Sequence, residues 1–312
     1  MTDVPRIQRI ALIGFGEVGT IFGRDLAQQG VALTTYDILL DAPVSRQMLL
    51  DRARGAAVRA VDTLADAVRG ADLVISAVTA SSARDVARDA AAWLSPGQRF
   101  LDVNSVSPET KRGNARAVEA SGAAYVEAAV MAPVPPQRLA VPMLLGGREA
   151  RALAEALKAF GMNATAVAED IGTASAIKMC RSIMIKGLEA LTVECTFAAR
   201  RFGAEQAVLA SLDKTFPHMG WNGELPDYLV SRVAEHGRRR AAEMREVAQT
   251  LTEVGLPPTM AGATAQRHDA LVQQMADAGV PYPAGAAFSW RALADALADA
   301  LAAAETRGKA GP

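Results

Sequence analysis

Ile10-Ala11-Leu12-Ile13-Gly14-Phe15-Gly16-Glu17-Val18-Gly19 is a short apolar run that breaks into three glycines at fixed spacing. A strand buried on both faces of a sheet reads as such a run. G-x-G-x-x-G directly after a strand and opening a helix is the turn that carries a dinucleotide's pyrophosphate. Each glycine has its own reason. Gly14 makes the tight turn, Gly16 removes a side chain where the phosphates approach, and Gly19 lets helix and strand pack closely. Phe15, Glu17 and Val18 complete the turn, and the helix starting there offers free N–H groups and a positive dipole end to an anion.

The flanking sequence agrees. Thr20–Gln29 is amphipathic, Val31–Tyr36 reads as a second strand, and Asp37 closes it, 23 residues after Gly14. That is near the spacing of about 20 for an acid that binds the adenosine ribose. A carboxylate there accepts from the 2′-hydroxyl and repels a 2′-phosphate, so NAD is the expected cofactor and NADP the alternative. The competing reading of Asp37 is a surface acid at a strand end. Arg46, Arg52 and Arg54 follow and could reach a phosphate, but they read as the solvated face of a helix over 44–54.

Further short apolar runs lie at Leu73–Val78, Phe100–Val103, Tyr125–Val130 and Pro142–Leu145, with helical periodicity around Ala83–Leu94, Glu109–Ser121 and Glu149–Phe160. Strands alternating with helices predict an α/β Rossmann domain with a parallel-type sheet over residues 1–168. Beyond Glu169 no strand is expected. Thr173–Arg201 has no proline, and Gly187 is its only soft point, so it predicts a helix on the order of 40 Å long that can bridge two domains. Helices are expected at Ala204–Thr215, Tyr228–Glu253, Pro258–Ala278 and Phe288–Ala303, punctuated by Gly-Leu-Pro-Pro at 255–258 and Val-Pro-Tyr-Pro at 280–283. An all-helical domain over 169–312 follows, with a frayed tail from Thr306.

The sequence of 312 residues allows about two domains at roughly 150 each. A formal net charge of −1 leaves no basic footprint for nucleic acid or an anionic membrane. Arg238-Arg239-Arg240 suggests such a patch only in isolation, because the apolar face of its helix turns much of it to solvent. Cys180 and Cys195 fall on one helix and make no disulfide framework. His218, His236 and His268 have no metal-ligand spacing, so no metal is expected. With no apolar signal core after Met1 and no apolar span long enough for a bilayer, a cytoplasmic protein is expected.

In layout and motifs the sequence resembles the β-hydroxyacid dehydrogenase family, which includes 3-hydroxyisobutyrate, tartronate semialdehyde and 6-phosphogluconate dehydrogenases. The first family motif is matched by Ile13-Gly14-Phe15-Gly16-Glu17-Val18-Gly19. The strand-end motif D-x-S/N-S/T-x-x-P is matched by Asp102-Val-Asn104-Ser105-Val-Ser107-Pro108. The helix motif G-x-G-x-x-x-K-x-x-x-N appears as Gly172-Thr-Ala174-Ser-Ala-Ile-Lys178-Met-Cys-Arg181-Ser182. The resemblance implies that Lys178 is the catalytic acid and base, on a small acid substrate and in a homodimer. Two departures stand out. The family's D-A-P-V-S-G-G substrate loop reads Glu127-Ala-Ala-Val-Met131-Ala132-Pro133, without its serine and glycine pair. The glutamate of the decarboxylating sugar-acid members falls at Ile185, which argues against that reaction. The chain thus resembles a divergent branch of the family.

A free lysine titrates near 10.4 and needs burial or nearby cations to work at neutral pH. The alternative for Lys178 is a snorkelling side chain on a long helix. Arg181 is expected to fork onto a substrate carboxylate, or else to make a salt bridge. Ser182 is expected to bond a substrate hydroxyl, or its own helix backbone. Glu189 falls on the same broad stripe. Asn104 and Ser105, past a strand end, are expected at the substrate, and Thr79 beside the cofactor. His218, Trp221 and Tyr228 are expected as packing or surface residues, with a pocket lining as the alternative. Two other functions fit the architecture. An imine reductase usually carries Asp or Tyr where Lys178 stands, and a dinucleotide-binding sensor needs no lysine.

Overall fold

The computed structural model describes residues 6–283 and 287–309. It divides into two compact units, Met1–Met179 and Cys180–Pro312. The division falls inside one helix, eleven residues beyond the point where the sequence stops predicting strands.

In the first unit, β1 (Arg9–Ile13), α1 (Glu17–Ala27), β2 (Ala32–Tyr36), α2 (Pro43–Gly55), β3 (Arg59–Ala60), α3 (Leu64–Val68) and β4 (Leu73–Ser76) form the first half. The second half contains α4 (Ala83–Ala91), β5 (Arg99–Asp102), α5 (Pro108–Glu119), β6 (Ala124–Val130), α6 (Val134–Gln137), β7 (Met143–Gly146), α7 (Ala150–Lys158) and β8 (Ala164–Ala168). The strands make one eight-stranded sheet in the order β3-β2-β1-β4-β5-β6-β7-β8. Chain order reverses between β1 and β4, which puts a crevice at their C-terminal ends. Open α/β sheets bind ligands there. All pairings are parallel except β6 with β7.

Why β1 is apolar throughout is visible in its packing. Ile10 and Leu12 enter one core with Phe22, Leu26 and Leu33, while Ala11 and Ile13 enter the opposite core with Val74 and Phe100. Helices cover both faces, so alternation with polar residues would bury polar groups.

The second unit continues α8 (Thr173–Arg201) and adds α9 (Glu205–Thr215), α10 (Leu225–Glu253), α11 (Thr259–Asp277) and α12 (Trp290–Lys309). Among its described residues it holds no strand. Its core joins Val193, Val230, Val233, Leu271, Trp290 and Leu297. Gly237 lets α10 and α11 approach closely, because a Cβ there would lie 2.6 Å from Val272 Cγ2 and 2.9 Å from the His268 carbonyl oxygen. The last helix runs through Thr306 to Lys309, where fraying was expected, and residues 310–312 lie outside the described ones. Among the described residues no helix is long and apolar enough to cross a membrane, and no group of three or more His, Cys, Asp or Glu could hold a metal ion.

Candidate active site

The three glycines at the β1–α1 turn have three different surroundings. Gly14 sits at φ +88°, donates its N–H to the Tyr36 carbonyl at 2.9 Å, and a Cβ on it would collide with the Ala77 carbonyl oxygen. A Cβ on Gly19 would collide with the Gly14 carbonyl oxygen. Around Gly16 a Cβ would meet nothing within 4 Å. Only Gly16 faces open space, at the start of an eleven-residue helix whose first N–H groups have no intrahelical acceptor. An open cradle above unsatisfied N–H donors fits a pyrophosphate. Phe15 contributes backbone alone, since its ring is fully buried, while Glu17 is exposed.

Asp37 stands where the sequence places it, half-buried at the end of β2. Its Oδ2 accepts from Phe15 N at 2.7 Å and its Oδ1 from Leu39 N at 2.9 Å. Each oxygen keeps a lone pair for a ribose hydroxyl. Burial, then Asp41 and Asp37, push the neighbouring Tyr36 phenol up to about 12, so it remains a neutral donor to Asp41. The arginines of α2 are not simply a solvated face. Arg46 donates to the Leu40 carbonyl at 2.8 Å and pairs with Asp62, and Arg52 donates to the Phe15 carbonyl at 3.0 Å. Arg54 does pair at the surface, with Asp51. With Arg46 and Arg54 held by acids and Asp37 at the end of β2, where a ribose-binding acid is expected, NADH should bind more tightly than NADPH. Fluorescence titration checks this, and equal or tighter NADPH binding would contradict it.

At the ends of β4 and β5 the polar residues differ in availability. Asn104 is a strut: its Oδ1 accepts from Val78 N at 2.7 Å and its Nδ2 donates to Ser76 Oγ at 3.0 Å. Ser105 Oγ is buried with no hydrogen-bond partner among the described residues, an orphan that a ligand oxygen would satisfy. Thr79 is exposed and its hydroxyl lies 3.0 Å from those of Ser81 and Ser82.

Beneath this end is a buried network that sequence reasoning missed. Lys111 Nζ lies 2.9 Å from Asp102 Oδ1 and donates to the Asp102 carbonyl at 2.7 Å. Tyr125 and Asn114 donate to Asp102 Oδ2 at 2.7 and 3.0 Å. Burial works to raise the Asp102 carboxyl, but Lys111, Tyr125 and Asn114 together hold it below its ordinary value. The signal in the sequence was an Asp followed nine residues later by a helix lysine, indistinguishable from two surface charges.

Glu127 lies in the middle of β6, within the strand expected over Tyr125–Val130, and is fully buried, so the segment aligned with the family's substrate loop begins as strand. Its Oε1 accepts from Gly172 N at 2.7 Å and Ala174 N at 3.1 Å, and its Oε2 from Ser175 N at 3.3 Å and Ser175 Oγ at 2.8 Å. The carboxylate therefore caps α8 and bolts its first turn to the sheet. Gly146 leaves it room, since a Cβ there would lie 2.6 Å from Glu127 Oε1. Lys178 follows one turn later, half-buried.

In the second unit, Arg181 is exposed and Ser182 buried. Ser182 Oγ accepts from Lys186 Nζ at 3.1 Å, and Lys186 pairs with Glu243 at 2.9 Å. Glu189, expected on the site stripe, is held by Arg240, and burial outweighs that cation to leave its carboxyl raised. His268 is fully buried, and neither ring nitrogen has a hydrogen-bond partner among the described residues. Burial, then Arg240 and Lys186, pull it down to about 4, so it is a neutral packing residue. Trp221 is buried, whereas His218 and Tyr228 are exposed.

Strand order, glycine turn and the acid at the end of β2 are those of a dinucleotide-binding Rossmann unit. The chain belongs to the family described as the NAD binding domain of 6-phosphogluconate dehydrogenase, matched over residues 9–172, within the β-hydroxyacid dehydrogenase group that the sequence resembles. A domain of unknown function matches residues 199–271, in the helical unit. The chain is 38% identical to a conserved hypothetical protein from Sinorhizobium meliloti 1021, with a TM-score of 0.78 and coverage of 95% of this chain and 98% of that one. It is 32% identical to a conserved protein of unknown function whose structure is similar to 3-hydroxyacid dehydrogenases, with a TM-score of 0.69, covering 84% of this chain and 96% of that one. An NAD-dependent L-serine dehydrogenase of Pseudomonas aeruginosa is 26% identical, over 69% of this chain and 72% of that protein.

Proposed function

We propose that the protein is an NAD-dependent oxidoreductase acting on a small hydroxy- or oxo-acid, with Lys178 as general acid and base. The observation that carries this is the fixing of the lysine's helix to the dinucleotide-binding sheet through Glu127, which sets the backbone from which Lys178 reaches. Gly14, Phe15, Gly16, Glu17, Val18 and Gly19 would hold the pyrophosphate, Asp37 the ribose, and Thr79 would lie beside the cofactor. When bound, the nicotinamide supplies the acceptor or donor of the hydride.

Lys178 Nζ takes the proton from the substrate hydroxyl during oxidation and returns it during reduction. Arg181 makes no ion pair among the described residues, so its fork is available to a carboxylate. The Ser182 hydroxyl, accepting from Lys186, has its own proton to donate to a substrate oxygen. Ser105 offers its orphan hydroxyl beside Asn104, which keeps one Nδ2 hydrogen. Retention of lysine at 178 favours an alcohol or ketone over an imine. Turnover of hydroxyacids against cyclic imines, with each nicotinamide cofactor, tests the assignment.

The protein also acts as a homodimer in this reading. Met184 and Leu191 on α8 are 74% and 54% exposed and Phe202, just past its end, is 87% exposed, an apolar stripe that a second copy would cover. Sedimentation should give twice the 32.7 kDa chain mass. A single-chain species at micromolar concentration would remove the dimer. Two free thiols, Cys180 and Cys195, fit a reducing cytoplasm.

A further inference from the structure

Phe15 is gripped through both its backbone polar groups, which belong to successive peptides. Its N–H donates to Asp37 Oδ2 at 2.7 Å and its carbonyl accepts from Arg52 Nη1 at 3.0 Å, with a longer contact from Thr20 Oγ1 at 3.2 Å. The Phe15 ring between them is fully buried, so the backbone cannot swing with its side chain. Arg52 reaches this carbonyl from the last turn of α2, and among the described residues it pairs with no carboxylate. It is thus the arginine of that helix whose charge no acid among the described residues offsets. Arg46 is held by Asp62, and Arg54 by Asp51.

From this grip we infer that Arg52 is a positioning residue of the dinucleotide site, setting the peptide whose other end is the Gly16 N–H. A trans peptide is planar, so its carbonyl and the following N–H point in opposite directions. A cation fixed on the Phe15 carbonyl therefore aims the Gly16 N–H to the far side. That N–H has no acceptor among the described residues, and the space in front of Gly16 is open. Drawing electron density toward the carbonyl also strengthens the N–H as a donor, as hydrogen bonds in chains polarise one another. Arg52 acts on an anion through Gly16, while Asp37 holds the same loop from the adenosine side. The ligand part that gains is the pyrophosphate, and the ribose and adenine do not depend on Arg52.

The test compares NADH, NADPH, ADP-ribose and adenosine binding to the full chain and to three variants, with circular dichroism and thermal melting confirming the fold. Arg52→Met removes donor and charge, Arg52→Gln keeps a donor, and Arg52→Lys keeps donor and charge on a different stem. Arg52→Met should weaken NADH and ADP-ribose about tenfold, in line with a lost charge-assisted bond. Adenosine, which carries no phosphate, should bind as before. Arg52→Lys and Arg52→Gln should each recover part of the loss. Wild-type ADP-ribose affinity in a folded Arg52→Met would overturn the proposal. So would equal loss for adenosine, which would mark a general structural role, or a loss confined to NADPH, which would make Arg52 a 2′-phosphate ligand. If Arg52→Met fails to fold, Arg52→Gln and Arg52→Lys decide: a smaller loss of ADP-ribose affinity with adenosine unchanged supports the positioning role, and unchanged ADP-ribose affinity in both, or a joint loss of ADP-ribose and adenosine, overturns it.

Discussion

Lys178→Ala is expected to lower turnover by about 10²–10⁴, the usual contribution of a positioned acid or base, while leaving NADH affinity almost unchanged. The two halves of that result come from different parts of the molecule. The pyrophosphate turn and Asp37 belong to the β1–α1–β2 segment, whereas Lys178 sits one turn into α8. On the proposed assignment, removing it takes away a proton carrier without touching the turn proposed to hold the cofactor. Arg181→Ala should behave differently, raising KM for an acid substrate more than it lowers kcat, because it loses a charge-assisted contact made in the ground state as well. An uncharged analogue should be less affected. Full turnover in a folded Lys178→Ala would make the lysine structural.

The glycine turn gives the second large effect, and it separates binding from folding. Gly16→Val should melt close to the native protein, since its Cβ meets nothing within 4 Å, but should weaken NADH by roughly 100-fold or more, about 2.7 kcal/mol. The side chain fills the space a pyrophosphate requires. Gly14→Ala should show the reverse priority. It forces a residue with a Cβ to φ +88° against the Ala77 carbonyl. That costs roughly 2–5 kcal/mol for the left-handed backbone and the overpacking together, a large part of a typical domain stability of about 5–15 kcal/mol. Melting curves and NADH titrations on both variants check the contrast. A Gly16→Val protein that binds NADH normally would place the phosphates elsewhere.

Much of this was legible because periodicity and glycine chemistry are local. The α8 helix was expected at 173–201 and spans Thr173–Arg201. The three glycines were expected to differ, and their surroundings do: Gly14 and Gly19 are crowded, whereas Gly16 is open. What escaped was non-local or chemically faint. The edge strand β8 is Ala-Thr-Ala-Val-Ala, small residues alternating in burial, with too little apolar mass to stand out. Strand β3 is two residues long and α3 only five. The reversed direction of β7 comes from pairing with β6, and no local pattern in Met143–Gly146 encodes it.

In the site, the difficulty was charge. Glu127, Lys111 and Lys186 look like solvated residues in the sequence, yet each is buried because a partner distant in the chain satisfies it. Position 127 was read as part of a substrate loop because the resemblance aligned it there. The fold instead uses the carboxylate to hold the helix of Lys178. Asn104 was correctly placed past a strand end, but most of its side chain serves the neighbouring strand.

The most direct measurement is absorbance at the nicotinamide band with the purified full-length chain, NAD or NADP, and a panel of small 2- and 3-hydroxyacids. The oxo-acids and cyclic imines are run in the reducing direction. The account predicts turnover of at least one hydroxyacid with NAD preferred over NADP, and none of the imines. Turnover of imines alone would contradict it, as would firm NADH binding with no change in nicotinamide absorbance across the whole panel.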